Sequence, residues 1–252
     1  MATHFAPIEK LDSEFAEHAR NLATNTGSKL DWTKPTPADL ASPPAVENFL
    51  KEKPNNFDAL MEQAQALLLA KNWKEAKVPL QKIIELYPDQ READSAYSLL
   101  ARAQRELGET DAEIETLTKL ADLASDAVDA FERLMEIWAE RKDWAKVVDY
   151  ASRYTSVNPL RPEPHRQAAN AFEELKRRKE AIEAYSTLIA LNPPDPAETH
   201  FRLARLLHEE RNPSAKRHVL LALEEAPRFR AAQRLLLEIT GKPSVAPRVK
   251  VP

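Results

Sequence analysis

The chain has no cysteine among its 252 residues, which excludes disulfide bonds and thiolate metal sites. Its 3 glycines, at positions 27, 108 and 241, are too far apart to form a glycine-rich phosphate-binding loop. No apolar run approaches the roughly 20 residues that a membrane-spanning helix needs. The 36 basic residues are outnumbered by 40 acidic ones, so no excess of positive charge favours nucleic acid, and we expect none as a partner.

The histidines and hydroxyl residues suggest no catalytic or metal site. The nearest approach to a zinc-peptidase motif starts at His208, but Asn212 stands where a second histidine would have to ligate the metal. His165 and His200 fall at equivalent places in two repeated segments, which favours packing over metal binding. Serine and threonine residues have no histidine and aspartate at a suggestive spacing. We therefore expect no enzyme, no catalytic residue, no cofactor and no metal.

Prolines recur at an interval of 34 residues with one interruption, and the series is Pro54, Pro88, Pro159, Pro193 and Pro227. The interval from the second to the third is 71 residues, two periods and three extra residues, and Trp73 and Trp144 lie 71 residues apart as well. A period of 34 is typical of stacked helical hairpins. Few glycines and abundant Ala, Leu, Glu, Lys and Arg also favour helix. We predict an all-α protein with the insertion at 91–93.

Small side chains recur in phase with the prolines. The eighth residues of the units are Ala64, Ala101, Met135, Ala169 and Ala204, and the twentieth are Ala76, Glu113, Val147, Ala181 and Ala215. Small side chains allow two helix backbones to approach closely. Over about residues 42–240 this pattern resembles the tetratricopeptide repeat (TPR) family, although Glu113 and Met135 depart from it. The resemblance implies a right-handed superhelical solenoid of about five helix-turn-helix units, with a preceding helix and a C-terminal capping helix.

The same pattern divides the chain. We predict an amphipathic N-terminal helix within 1–24, whose apolar residues follow a helical spacing, and a proline-rich connector at 25–44. The TPR array follows at 45–240, with units at 57–90, 94–127, 128–161, 162–195 and 197–228 and a cap at 229–240. Residues 241–252 contain three prolines and are expected to form a flexible tail.

A second resemblance covers the segment FAPIEKLDSEF, from Phe5 to Phe15. It is similar to the segment that follows the catalytic domain in bacterial gluzincin-type zinc peptidases with C-terminal TPR units. The N-terminus lacks a charged start followed by an apolar core, so no signal peptide is expected. The compartment stays unknown, and it is cytoplasmic if Met1 is the true start.

The TPR resemblance also implies where a partner binds, because six positions of each first helix line a concave groove in that family. Here the groove is apolar at first, acidic in the third unit and basic toward the end. The resulting candidates are apolar anchors and polar contacts: Met61, Leu68, Leu69, Leu99 and Phe201, and Arg102, Arg166, Asn170, Arg202 and Arg205. Some members clamp a peptide's C-terminal carboxylate, but Arg202 replaces an asparagine of that clamp, so we do not expect the clamp here.

The leading hypothesis is a non-enzymatic scaffold that binds a protein or peptide in the groove through complementary shape and charge. One alternative is a C-terminal accessory domain of a larger bacterial enzyme such as a zinc peptidase, with the catalytic domain in cis. Another is a self-associating spacer that forms homo-oligomers. An upstream reading frame with a His-Glu-x-x-His motif would support the first alternative, and light scattering would test the second.

Overall fold

The computed structural model describes residues 10, 12–17, 27–92 and 94–241. Within these residues the protein is all-α, as predicted, and the one extended pairing is an isolated bridge between Asp31 and Asn56. Residues 10 and 12–17 are helical, while the rest of the predicted N-terminal helix and the tail beyond 241 lie outside the described residues. No helix in this part of the chain is both long enough and apolar enough to cross a membrane.

Twelve helices follow residue 42 in the described part of the chain. They are α1 (Pro43–Glu52), α2 (Phe57–Leu69), α3 (Trp73–Leu86), α4 (Ala96–Glu106), α5 (Thr110–Leu123), α6 (Val128–Glu140), α7 (Trp144–Val157), α8 (Pro162–Glu174), α9 (Arg178–Ala190), α10 (Pro196–Glu209), α11 (Ala215–Glu225) and α12 (Arg230–Ile239). Proline stands at the start of α1, α8 and α10, where its missing N–H costs no hydrogen bond.

The chain divides into two compact units, Met1–Ala130 and Phe131–Pro252, with the division inside α6. In the first unit, each of the helices α1 to α4 packs on the next helix along the chain. In the second unit, each of α7 to α11 does the same, and α12 also packs on α10. Contacts between helices that follow each other along the chain are typical of stacked helical hairpins. Each of the two compact units therefore has the all-α repeat architecture that the sequence predicts.

The residues at the two small positions are all buried, including those that depart from the family pattern. Ala76, Ala169 and Ala181 have no exposed surface, which allows the close helix approach expected of alanine. Met135 is equally buried, and Glu113 is only 2% exposed. Larger side chains at these positions are therefore accommodated inside the helix stack rather than turned outward.

A residue in the left-handed conformation ends the first helix of each of five hairpins. These residues are Lys71, Gly108, Lys142, Lys176 and Arg211, with φ between 56° and 71°. The next residue then donates its N–H to a carbonyl five residues earlier, as from Asn72 to Leu67 at 2.8 Å. The intervals are 37, 34, 34 and 35 residues, so the backbone repeats the sequence period and the first interval holds the insertion.

The described residues of the link that carries the insertion, 87–92 and 94–95, fold against the start of α4. The Gln90 side chain is buried, donates to the Tyr87 carbonyl at 2.9 Å and accepts from the Ala96 N–H at 3.1 Å. The Tyr97 hydroxyl donates to the Pro88 carbonyl at 2.9 Å. Gln90 thus satisfies a free N–H of the first turn of α4, the task of an N-cap side chain, although it lies six residues before Ala96.

The connector before α1 is irregular but docked on the first unit. The Trp32 ring lies 4.9 Å from the Phe57 ring, centroid to centroid. Asn56, fully buried, donates to the Thr33 carbonyl at 2.6 Å and accepts the Ala59 N–H at 3.0 Å. One asparagine therefore both caps α2 and holds the connector, which the sequence pattern did not reveal.

Candidate partner-binding surface

In the first unit the predicted anchors lie on α2 and α4 with different accessibility. Leu69, the last residue of α2, is 86% exposed, whereas Leu68 is buried with Ala76 and Ala103. Met61 and Leu99 are half-buried against the core. Leu68 is therefore a core residue whose side chain a partner cannot reach, and Leu69 is the accessible leucine of the pair.

In the second unit, three of the four predicted polar residues line one open cavity of about 180 Å³, and Arg205 does not. Arg166 and Asn170 reach it from α8, and Arg202 reaches it from α10. The rest of the lining comes from Tyr185, Leu188, Asp195, Glu198 and Thr199. Phe201 is turned elsewhere, toward Phe229, with 4.9 Å between the ring centroids, and it helps to seat α12.

Each predicted arginine of this second unit is already paired with a glutamate. Arg166 pairs with Glu163 one turn earlier on α8. Arg202 donates to Glu198 at 2.7 Å and lies 3.4 Å from a Glu173 oxygen. Arg205 pairs with the other oxygen of Glu173, whose side chain is 11% exposed. The arginines predicted to make the end of the groove basic are thus compensated in the folded chain.

Tyr185 holds this network together and was not among the predicted site residues. Its buried hydroxyl donates to Glu173 Oε1 at 2.5 Å and lies 2.8 Å from Asn170 Oδ1, which also accepts from Arg202 at 3.3 Å. Burial, followed by the hydrogen bond to Glu173, raises the pKa of Tyr185 well above its usual value. Tyr185 was missed because it stands at position 24 of its repeat, where the other repeats have apolar residues. Only its hydroxyl group distinguishes it from them and indicates a hydrogen-bond partner.

The same network favours the charged form of Arg202. Burial alone would lower the pKa of its guanidinium, but the hydrogen bond to Glu198 and the neighbouring Tyr185 and Glu173 outweigh it and raise that pKa. In the described part of the chain, no three His, Asp or Glu side chains are grouped to hold a metal ion. The cavity therefore offers hydrogen-bonding groups whose positions are set by their ion pairs and by Tyr185.

The arginines of the first unit differ from those of the second. Arg102 and Arg105 are exposed on α4, and neither forms an ion pair or hydrogen bond with another described residue through its guanidinium. The Arg102 guanidinium lies 5.8 Å from the centre of the Trp73 ring. We call the surface formed by Leu69, Trp73, Leu99, Arg102 and Arg105 the α2–α4 patch.

The two histidines His200 and His218 meet between α10 and α11. Their Nδ1 atoms are 3.0 Å apart, and their ring centroids are 5.2 Å apart. The two nitrogens therefore point at each other, as in a hydrogen bond in which one ring donates and the other accepts. His200 thus packs against a second imidazole where α10 meets α11.

Two family models match the sequence. The model described as "Bacterial transcriptional activator domain" matches residues 54–192, and the model described as "Tetratricopeptide repeat" matches residues 166–228. Together they cover the helices from α2 to α11 in whole or in part. A comparison with curated proteins gives no match.

Several solved structures have the same fold. The TPR protein YrrB, described with an unusual peptide-binding site, has a TM-score of 0.57 and 15% identity over 77% of this chain and 98% of its own. The MamA protein gives 0.51 and 15% over 75% of this chain and 96% of its own. Naa15/Naa10 bound to HypK-THB gives 0.60 and 15% over 79% of this chain and 31% of its own.

Proposed function

Because the chain belongs to the tetratricopeptide repeat family, and over residues 54–192 to the bacterial transcriptional activator domain family, we propose that it is a non-enzymatic scaffold that binds a protein or peptide segment. The binding surface in this proposal is the groove formed by the first helices of the hairpins. Proteins of this architecture bind through shape and charge on a preformed surface, so no cofactor is required. Function is thus assigned to the surface and not to the fold alone.

The observation that supports the proposal is the convergence of Arg166, Asn170 and Arg202 on one open cavity. These side chains come from α8 and α10, two successive first helices, and their conformations are fixed by glutamate partners and by Tyr185. Fixed polar side chains lose little conformational entropy when a partner binds. One relative in fold, YrrB, is itself described with a peptide-binding site, which agrees with such a use of the fold.

The test is capture of a partner by the full chain, followed by titration with a double variant. Arg166→Ala combined with Arg202→Ala should weaken the binding of a captured partner by about tenfold, since two donors at the cavity are lost. Arg228→Ala combined with Arg234→Ala removes the same charge from exposed positions and serves as the matched control. Equal affinity of wild type and the Arg166/Arg202 variant would place binding elsewhere.

A second candidate function follows from the family match over residues 54–192. In this proposal the scaffold is the interaction module of a transcriptional regulator, with its partner in the transcription machinery. A DNA-binding domain encoded in the same reading frame, or a captured partner that binds DNA, would support this role. Captured partners without any link to transcription, together with a reading frame that encodes no DNA-binding domain, would argue against it.

The two alternatives from the sequence remain open proposals. The segment that resembles the zinc peptidases lies largely outside the described residues, so it is tested best by the upstream reading frame. Self-association is tested by multi-angle light scattering of the full chain over a range of concentrations. A monomer at all concentrations would remove the spacer from consideration and leave the scaffold proposal intact.

A further inference from the structure

We propose that the α2–α4 patch binds an acidic amphipathic helix of another protein, with Arg102 and Arg105 receiving carboxylates and Leu69 and Trp73 receiving apolar side chains. This inference rests on the proposed scaffold function and identifies which part of the surface selects the partner. It changes the expected polarity of the groove, because the sequence placed the cation contacts mainly toward the C-terminal end.

The patch includes an exposed leucine at the end of α2 and an aromatic ring at the start of α3. Leu69 is 86% exposed and follows Leu68, which is buried against Ala103 of α4. Trp73 and Leu99 pack on the same buried cluster as Leu68, the residue before Leu69. A partly buried tryptophan with an arginine over its ring is typical of the centre of an interface, where these two residue types contribute most of the binding energy.

The two arginines of the patch lie on α4. Arg102 adjoins the buried Ala103, and its guanidinium lies 5.8 Å from the Trp73 ring centre. Arg105 follows three residues later, so the two side chains lie on the same face of α4, about one turn apart. Glu106 is exposed nearby but is not in ion-pair contact with Arg102, four residues before it. Both guanidinium groups are thus open to an external carboxylate.

The cavity in the second unit is a poorer receptor for a carboxylate. Arg166, Arg202 and Arg205 already donate to Glu163, Glu198 and Glu173. An incoming acid would have to displace a glutamate or approach it, and like charges at short range are unfavourable. At the α2–α4 patch, by contrast, the new ion pairs displace no carboxylate of a described residue. The acidic partner is therefore expected at Arg102 and Arg105.

The spacing of the two arginines suits a helical partner. A helical segment presents residues three and four apart on one face, which matches the separation of Arg102 and Arg105 along α4. The same segment can place leucines beside those acids, toward Leu69 and Trp73. Such binding of an amphipathic helix through apolar anchors and rim charges is a common recognition mode of helical surfaces.

The experiment uses a fluorescent amphipathic peptide with leucine on one face and glutamates at three- and four-residue spacing, blocked at both ends so that no terminal carboxylate is present. Anisotropy titration of the full chain should give binding that weakens as salt is raised from about 50 to 500 mM. Arg102→Glu combined with Arg105→Glu should lower the affinity about tenfold or more. A peptide with lysine in place of glutamate should prefer this variant over the wild type.

Arg228→Glu combined with Arg234→Glu makes the same change in net charge at exposed positions away from the patch, and should leave peptide affinity within about twofold of wild type. An equal loss in this control would overturn the inference, because general charge would then explain binding. Binding removed by the Arg166/Arg202 variant but not by the Arg102/Arg105 variant would also overturn it, yet would support the scaffold proposal.

Failure of the wild type to bind the peptide would overturn the inference alone, since partner capture tests the scaffold separately. Displacement of the peptide by duplex DNA that depends on Arg102 and Arg105 would show a phosphate site and overturn it as well.

Discussion

At the scale of single residues, the second unit depends on one buried hydroxyl. Tyr185 on α9 reaches Glu173 on α8, and Glu173 in turn receives Arg202 and Arg205 from α10. Three helices thus share one carboxylate. A buried acid of this kind is stable only while its donors remain in place, because an unmatched buried charge is costly.

Tyr185→Phe should lower the free energy of unfolding by about 2 kcal/mol, since a hydrogen bond to a charged group is lost and Glu173 keeps a desolvated oxygen. Urea unfolding followed by circular dichroism measures this change. Tyr154→Phe is the control, because Tyr154 is also buried but its hydroxyl has no hydrogen bond to a described residue. Similar losses in both variants would mean that Tyr185 acts through packing alone.

The histidine pair predicts a pH dependence of stability. Burial lowers the pKa of both His200 and His218, and Arg217 lowers both further, while Glu225 acts in the opposite sense on His200. A histidine whose pKa is lower in the folded state than in the unfolded state takes up more protons when unfolded. The pair therefore contributes its full stability above about pH 6.5, and that contribution is lost as the pH falls toward the lowered values.

The expected measurement is the melting temperature between about pH 7.5 and 5. His200→Gln combined with His218→Gln should make the decline on acidification shallower than in the wild type. His165→Gln is the control, since His165 contacts the Pro159 carbonyl and not another imidazole. A wild-type curve that stays level in this range, or that rises on acidification, would contradict the prediction.

At the scale of helices and turns, the left-handed residues are the common device of the hairpins. Four of the five are lysine or arginine, although this conformation costs an ordinary L-residue about 1 kcal/mol more than glycine. Each is retained because the hydrogen bonds that follow it close the preceding helix. Of the five turns, only the one at Gly108 lacks this strain, and a Cβ atom there would meet no other atom within 4 Å.

Lys176→Gly should therefore raise the free energy of unfolding by up to about 1 kcal/mol, because the strain at φ 59° is removed. Lys179→Gly, three residues later in the first turn of α9, should instead lower the free energy of unfolding, since glycine is a poor helix former. Opposite signs for two identical substitutions in one segment test the conformational cause directly. Loss of stability in both variants would mean that the Lys176 side chain makes a larger contribution than its strain.

The sequence predicted the elements better than their contacts. Helix positions follow from the proline period and the small residues, because these report backbone spacing, which is common to all units. The pairing of Glu173 with Arg205 did not follow, although the two are about one period apart, since side-chain rotamers decide which neighbouring charges meet. Lysine at left-handed positions and Gln90 as a cap were missed because neither residue type is usual there.

At the scale of the whole molecule, the chain is a series of helical hairpins, and in its described part the apolar face of the last hairpin has no further hairpin to pack on. Helix α12 covers that face in the second unit, where Ala232 and Leu235 pack on Val219, Ala222 and Ala204. Terminal helices of this kind keep the apolar face of a repeat array from water. Their contribution exceeds that of their own hydrogen bonds, because they bury the surface of α10 and α11.

A chain that ends at Ala226 should thus melt at a lower temperature and associate at concentrations where the full chain does not. Differential scanning fluorimetry and light scattering measure the two effects. A chain that ends at Gly241 keeps α12 and serves as the control, with unchanged melting expected. If both truncations behave like the full chain, α12 is dispensable and the stability of the second unit lies in α7 to α11.

The turns at residues 71, 142, 176 and 211 also provide trypsin cleavage sites at intervals of one or two repeats. Each places a lysine or arginine in an exposed bend between two helices, the type of site that trypsin cleaves first in a folded protein. Early digestion should release fragments of about one or two repeat lengths, and the Gly108 turn should be skipped. A bound partner would slow cleavage at the turns that it covers. The fragments that fail to appear would therefore show which hairpins the partner contacts.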